Sequence, residues 1–213
     1  MDESESSNLF HIDVLYLINS KHFQHGLRHG DFQRYRKYCR DKIRRIRRTL
    51  TNNRKSKHNF QKHVLTPQLI TDSRYLTIPL FCAERCWAHS NEIKSSEKQN
   101  PKRQYYVTRK LRKFCVYARA FHELVENTKC DLSTKWEAKA YYHWAMSTLN
   151  LSQKKWDESL NFVLQSKKEY EAILQVCRSD MKSAYENRIE ELSVSEKYCT
   201  YSLKGSENSE ELK

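Results

Sequence analysis

The clearest apolar pattern lies in the first quarter of the chain. Apolar side chains recur there at spacings of three and four residues, at Phe32, Tyr35, Cys39, Ile43, Ile46 and Leu50. Because an α-helix has 3.6 residues per turn, this spacing places them on one side of a helix. Asp31, which follows a glycine-containing turn, is a good N-cap. The pattern therefore predicts an amphipathic helix over about residues 31–50, docked by its apolar side on the rest of the protein.

Similar patterns predict helices along the rest of the chain. The expected helix starts are Thr66 followed by Pro67, Asp72 or Ser73, Pro101, Ser133, Ser152, Asp180 and Ser195. Pro79 is expected to kink or delay its helix, and the last two helices should cover about residues 180–192 and 195–203. The helix pair in residues 133–175 resembles a degenerate tetratricopeptide unit, although any helical hairpin would fit as well.

Composition supports the helical interpretation. Three glycines and three prolines in 213 residues are too few for the many turns of a sheet protein. The sequence thus predicts an all-α fold of antiparallel, tetratricopeptide-like hairpins with a protruding arginine-rich helix. Residues 1–8 are expected to be an acidic flexible N-terminus, residues 9–203 a single helical domain, and residues 204–213 a flexible tail.

The positive charge is concentrated in two zones. Residues 21–62 carry 15 Lys and Arg against two acids, a net charge equal to the +13 of the whole chain, and residues 101–122 carry seven against none. Ordinary solvated helices interleave acids with bases, so this arrangement indicates an anionic partner, with nucleic acid as the leading candidate. The predicted contacts are Arg28, His29, Arg34, Arg36, Lys37, Arg40, Lys42, Arg44, Arg45, Arg47, Arg48, Arg54, Lys55, Lys57, Lys102, Arg103, Arg109, Lys110, Arg112 and Lys113.

The two zones are expected to cooperate, with Arg109 and Arg112 on the same face as the 31–50 helix. A basic helix could also lie on an anionic membrane, but its apolar side is narrow and rich in Tyr, Cys and Ile. Composition alone does not choose between DNA and RNA. Residues 52–58 are expected to form a mobile basic loop.

Other chemistry is weakly represented. The seven cysteines lack the paired short spacings of a zinc site and are expected to be reduced core residues. The histidines at positions 22, 25 and 29 cluster near the first turn, where packing or a phosphate contact is favoured over a metal. The chain shows no nucleophile–base set and no phosphate-binding glycine loop. We therefore expect no enzyme activity, no metal and no cofactor.

Five stretches carry a resemblance to a known family. They are Gln24–Cys39, Leu69–Tyr75, Ala83–Trp87, Arg188–Glu191 and Tyr198–Tyr201. The first, QHGLRHGDFQRYRKYC, closely resembles the N-terminal region of the 68-kilodalton protein of the eukaryotic signal recognition particle. The resemblance extends over roughly residues 9–203 and identifies the chain as similar to that family's RNA-binding domain.

The resemblance implies an all-helical, tetratricopeptide-like domain that binds the three-way junction of the particle's RNA. It implies that the arginine-rich helix, here Asp31–Leu50, enters the RNA major groove near a loop, bends the RNA and remodels that loop. It further implies a 72-kilodalton partner bound through a C-terminal segment missing here, a ribosome-associated particle, cytoplasmic location with nucleolar assembly, and no membrane insertion. The alternative is a tetratricopeptide-like protein-interaction scaffold with a basic targeting arm.

Overall fold

The computed structural model describes residues 9–52, 65–96 and 101–210, and these ranges contain seven α-helices. They are α1 (Val14–Gln24), α2 (Phe32–Asn52), α3 (Ser73–Ser95), α4 (Arg103–Glu126), α5 (Leu132–Ser152), α6 (Trp156–Val176) and α7 (Lys182–Glu210). Two short 3-10 turns, Leu27–His29 and Pro67–Leu69, precede α2 and α3. The predicted all-α fold is confirmed. None of the described helices is long and apolar enough to span a membrane.

Helices α2 to α7 pack against one another in chain order, each beside its predecessor. Contacts between opposite helix ends show that neighbours run antiparallel. Arg103 at the start of α4 bonds the carbonyl of Ile93 near the end of α3, and Gln104 bonds Ser152 at the end of α5. The result is a row of helical hairpins, as the sequence predicts.

Helix α1 does not join the row but lies across the side formed by α3, α5 and α7. The Leu15 N–H donates to Glu137 on α5 at 2.8 Å, and the ring of His22 stacks on Trp87 of α3. The Leu15 side chain shares an apolar cluster with Tyr185 and Leu192 of α7. The N-terminal helix therefore ties together elements more than 100 residues apart.

The apolar side of α2 packs on α3 as predicted. Its buried side chains Tyr35, Cys39, Ile43 and Ile46 form one cluster with residues of α3 that include Tyr75, Ile78, Phe81 and Cys82. Burying such side chains contributes roughly 1.5–3 kcal/mol each to stability. This packing fixes the orientation of α2 and therefore determines which of its basic side chains face solvent.

The turn before α2 depends on a glycine. Gly26 adopts φ = 110°, in the left-handed region. A Cβ at this position would lie 3.0 Å from the carbonyl oxygen of Asp31 and 3.1 Å from the Cβ of Arg34. Asp31 then accepts the Arg34 N–H at 2.8 Å, which confirms its predicted role as N-cap.

Several predicted helix starts are wrong. Helix α3 begins at Ser73 with Asp72 as its cap, as predicted, so Pro79 lies inside the helix and does not delay its start. Helix α4 begins at Arg103, two residues after the predicted start at Pro101. Ser152 is the last residue of α5, where its backbone oxygen accepts a hydrogen bond from Gln104. Helix α5 begins at Leu132 with Asp131 as its N-cap residue, before the predicted cap Ser133, and the Asp131 N–H donates to the Phe10 carbonyl.

The last predicted pair of helices is one continuous helix. Ser195 does not start a new helix, because its hydroxyl donates to the carbonyl of Glu191 within α7. Ser193 donates to the carbonyl of Ile189 in the same way. The backbone of α7 stays helical to Glu210, across part of the segment expected to be a tail.

Candidate nucleic-acid interface

Helix α2 presents basic side chains on every side that does not pack against the protein. Tyr35, Cys39, Ile43 and Ile46 are buried. The exposed bases of the helix are Arg34, Lys37, Arg40, Arg44, Arg45, Arg47 and Arg48. Such a helix is a rigid ridge of positive charge rather than a flexible basic tail.

Some arginines of α2 also make contacts within the protein, such as Arg40, which is paired with Asp41 of the same helix at 3.1 Å. The guanidinium of Arg36 forms a two-point ion pair with Glu92 on α3, with N–O distances of 2.6 and 3.1 Å. This planar pairing holds α2 against α3. The sequence predicts Arg36 as a nucleic-acid contact, and the structure gives it this bracing contact as well.

A second group of bases lies where α2 approaches α1. Burial lowers the pKa of His25, whose ring stacks on Tyr38 at 3.6 Å, and the nearby charges of Lys21, Arg34 and Arg45 lower it further. Lys42 is half-buried, and burial together with Arg45 lowers its pKa. Positive charges are therefore crowded on this side of α2.

The preceding turn carries two more predicted contacts. Arg28 lies over the ring of Phe23 at 5.1 Å, and His29 is exposed. The ring of His22 instead packs inside the protein against Tyr35 and Trp87, as the packing interpretation of the histidine cluster predicts. The predicted contacts Arg54, Lys55 and Lys57 lie outside the described residues, as does most of the expected basic loop.

The second basic zone lies on α4. Arg109, Arg112 and Lys113 are exposed and Lys110 is half-buried. Arg103 is half-buried and donates to the carbonyl of Ile93, so part of its hydrogen-bonding capacity is used internally. Lys102 precedes the helix as its N-cap residue. The expected alignment of Arg109 and Arg112 with the Arg44–Arg48 segment stays a prediction.

The two zones meet across α3. Burial lowers the pKa of His89 on α3, and positive charges from α4, α2 and α3 itself, Lys110, Arg36 and Arg85, lower it further against the opposing effect of Glu92. A single side chain of α3 is thus within electrostatic reach of bases on both flanking helices. Arg85 and His89 are not among the predicted nucleic-acid contacts, because residues 63–100 carry equal numbers of bases and acids. Their spacing of four on a predicted helix was the available signal.

A buried carboxylate on α3, that of Glu84, holds α2 in place through a hydrogen bond from Tyr35. Glu84 is fully buried on α3 and accepts hydrogen bonds from Tyr35 of α2 at 2.8 Å, Tyr141 of α5 at 2.7 Å and His22 of α1 at 2.7 Å. Burial raises the pKa of Glu84, but these three bonds outweigh it and the pKa lies below its ordinary value. Four helices are therefore joined at one charged group.

Within the described ranges no group of three or more His, Cys, Asp or Glu side chains is placed to hold a metal ion. Six of the seven cysteines are buried and all are free. Burial raises the pKa of the Cys115 thiol to about 12, so this sulfur stays protonated and inert.

Comparison with known proteins gives a consistent result. A sequence model of the family described as "RNA-binding signal recognition particle 68" matches residues 27–213. The chain is 34% identical over 206 residues to the signal recognition particle subunit SRP68 of Drosophila melanogaster, covering 95% of this chain and 34% of that protein. It is 33% identical over 205 residues to SRP68 of Dictyostelium discoideum, covering 93% of this chain and 33% of that protein.

The fold has a solved counterpart. The SRP68 RNA-binding domain structure from Chaetomium thermophilum matches with a TM-score of 0.76 at 18% identity, over 90% of this chain and 98% of that chain. The chain spans about one third of the length of the SRP68 proteins it matches. These matches confirm the family resemblance drawn from the five sequence stretches. The chain belongs to the SRP68 family, over the part of it that the family's RNA-binding model describes.

Proposed function

We propose that this domain binds structured RNA as part of the signal recognition particle, with α2 as the main contact element. One observation carries the proposal: the bases of α2 face solvent on a helix whose apolar side is buried. Arginine forks pair two phosphate or guanine acceptors at once. A fixed helix presents them in one geometry, which a disordered basic segment cannot do.

The shape of α2 restricts the RNA it can bind. An α-helix with its side chains is about 10–12 Å across, and the major groove of regular A-form RNA is deep and too narrow for it. Helix α2 must therefore meet RNA that is opened by a junction, bulge or loop, or open it at a cost that arginine contacts repay. We propose the three-way junction of the particle's RNA as this target, bent and remodelled on binding.

The scaffold alternative is disfavoured by the position of α1. Tetratricopeptide-like arrays bind peptides along one side of the row, and here α1 lies across α3, α5 and α7. The gap that remains beside α1, lined by residues such as His22, Trp87, Trp144 and Arg188, measures about 250 Å³. Ligand pockets usually measure about 300–1,000 Å³, so this gap is small for a peptide.

The family also supports wider proposals for the protein that contains this domain. We propose that it acts as a non-enzymatic subunit in co-translational targeting to the endoplasmic reticulum. We further propose that it works in a cytoplasmic ribosome-associated particle, with nucleolar assembly and a 72-kilodalton partner bound by a different segment.

The proposal is tested by comparing affinities for the junction RNA and for a plain duplex of equal length at fixed salt. We expect the protein to prefer the junction, because only the junction admits α2. Replacing Arg44, Arg45, Arg47 and Arg48 together by Ala should abolish this specific binding. The affinity of the unaltered protein should fall by roughly 0.7–0.9 log units per log unit of salt for each phosphate neutralised.

A matched control removes the same number of charges elsewhere. Lys168, Lys182, Lys197 and Lys204 are exposed on α6 and α7, and their joint replacement by Ala should leave the junction preference in place. Circular dichroism establishes that both variants are folded. A junction-to-duplex ratio near one for the unaltered protein, or normal junction binding by the folded α2 variant, would contradict the proposal.

A further inference from the structure

The outer side of α3 carries two basic side chains that lie between the basic helices. Arg85 and His89 are one helical turn apart and half-buried. Successive residues of a helix are separated by about 100°, which places this pair opposite Glu84 and Trp87, the side that faces α1. Arg85 and His89 therefore form the floor of a cleft whose walls are α2 and α4.

Contacts on both sides define this cleft. Arg36 of α2 is held beside the pair by its ion pair with Glu92. On the other side Tyr117 of α4 packs on the cluster that contains Cys82 of α3. Burial raises the pKa of Tyr117, and the charges of Arg85 and Arg47 oppose the rise, so these arginines lie near the α4 wall.

Among the described residues, Arg85 has no acid that neutralises it by an ion pair. Arg36, on the α2 wall of the cleft, is by contrast paired with Glu92. A half-buried charge placed among other bases raises the energy of the free protein. A bound anion would remove that cost, and Arg85 can offer it several N–H donors in one plane.

We propose that Arg85 and His89 form a phosphate-contact site on the floor of the cleft between α2 and α4, occupied by the backbone of one strand of the bound RNA. The proposal rests on the proposed RNA-binding function and adds a third helix to it. Adjacent packed helices lie about 8–10 Å apart, so the cleft can follow a single strand while the α2 ridge enters the opened groove beside it.

The first test uses Arg85→Gln and the junction RNA. We expect about a tenfold loss of affinity and a fall of roughly 0.7–0.9 in the slope of log affinity against log salt, because one phosphate contact is removed. Arg85→Lys should keep most of the slope because it keeps the charge. Lys168→Gln, which removes one charge from exposed α6, should change neither quantity.

The second test uses pH. His89 faces Arg36 from α2, Lys110 from α4, and Arg85 and Glu92 from its own helix, and its pKa in the free protein is lowered by burial and by these bases. A phosphate beside the ring favours the imidazolium, so binding takes up a proton. The affinity for the junction RNA should therefore increase as the pH falls from 8 to 6, and His89→Gln should reduce that increase.

The outcomes separate this proposal from the functional one. If the unaltered protein binds the junction selectively and Arg85→Gln has the same affinity and salt slope, the cleft site is wrong and the function of α2 stands. The cleft site is also wrong, with the function of α2 intact, if His89→Gln keeps the full pH dependence. If the unaltered protein does not prefer the junction, the proposed function itself fails.

Discussion

The two sides of α3 show how adjacent charged residues can serve opposite purposes. Glu84 faces α1 and α5, is fully buried, and has its charge satisfied by three hydrogen bonds from within the protein. Arg85, the next residue, faces the cleft and has no internal acid among the described residues. A charge that is neutralised internally joins helices, whereas a charge left unneutralised at a surface is available to an external partner.

Replacing Glu84 by Ala should give the largest effect on the buried side. The change leaves the hydroxyls of Tyr35 and Tyr141 and the ring of His22 without their shared acceptor, and creates a cavity. We expect the free energy of unfolding to fall by about 3–5 kcal/mol. Urea denaturation followed by circular dichroism measures it.

The neighbouring position provides the control. Arg85→Gln removes a charge of the opposite sign one residue away. Because no described residue loses a hydrogen-bond partner by this change, the unfolding free energy should change much less. Equal losses of unfolding free energy for the Glu84 and Arg85 variants would contradict the view that only the Glu84 charge joins helices.

Glu137 permits a second test of the buried side. It is 1% exposed, and burial raises its pKa to about 7 in spite of hydrogen bonds from the Leu15 N–H and the Tyr185 hydroxyl. The unfolded pKa is about 4.3, so ionisation destabilises the fold progressively as pH rises from about 4 to 7. Relative to the unaltered protein, Glu137→Gln should gain up to about 4 kcal/mol over that interval.

This pH effect is isolated by difference. Other titrating groups are shared by the two proteins and cancel when unfolding free energies are subtracted at each pH. Denaturant titrations at pH 5, 6, 7 and 8 give the four differences. A difference that does not vary with pH would mean that Glu137 is ionised throughout, and that the α1 side accommodates a second buried charge.

The smallest expected effect concerns the start of α2 on the basic side. Asp31→Ala removes the bond to the Arg34 N–H and should lower the unfolding free energy by about 1 kcal/mol. Asp31→Asn keeps a capping oxygen while it removes the negative charge, and should be close to neutral. Thermal denaturation compares the two, and equal losses would assign the effect to charge rather than to the cap.

Local features of the fold could be predicted from the sequence. The Asp31 cap and the buried positions Tyr35 to Ile46 follow from spacing alone, because helix period and capping depend on residues within a turn or two. The all-helical fold follows from the scarcity of glycine and proline. These predictions need no knowledge of what lies next to α2.

Long-range contacts could not be predicted in this way. The Glu84 network joins residues separated by 49 to 62 positions, and a single sequence holds no periodicity at that distance. The same limit hid Arg85 and His89, whose surroundings become basic only when α2 and α4 pack on either side of α3. The Ser195 boundary failed because serine bonds equally well to a carbonyl within a helix.

The position of α1 has a consequence for how the protein matures. The Leu15 N–H of α1 donates to Glu137, and Ile12 just before the helix donates to Thr134; each bond closes a loop of 122 residues. The apolar cluster that Leu15 shares with Tyr185 closes a longer loop. Closing such loops is slow and costs chain entropy before any contact repays it. During synthesis from the N-terminus, α1 can therefore complete its contacts only after α7 has been made. Helix α2 is made early, but α1, which shares the Glu84 network with it, is fixed in place late. The nascent chain therefore carries its positive charge before the support of α2 is complete.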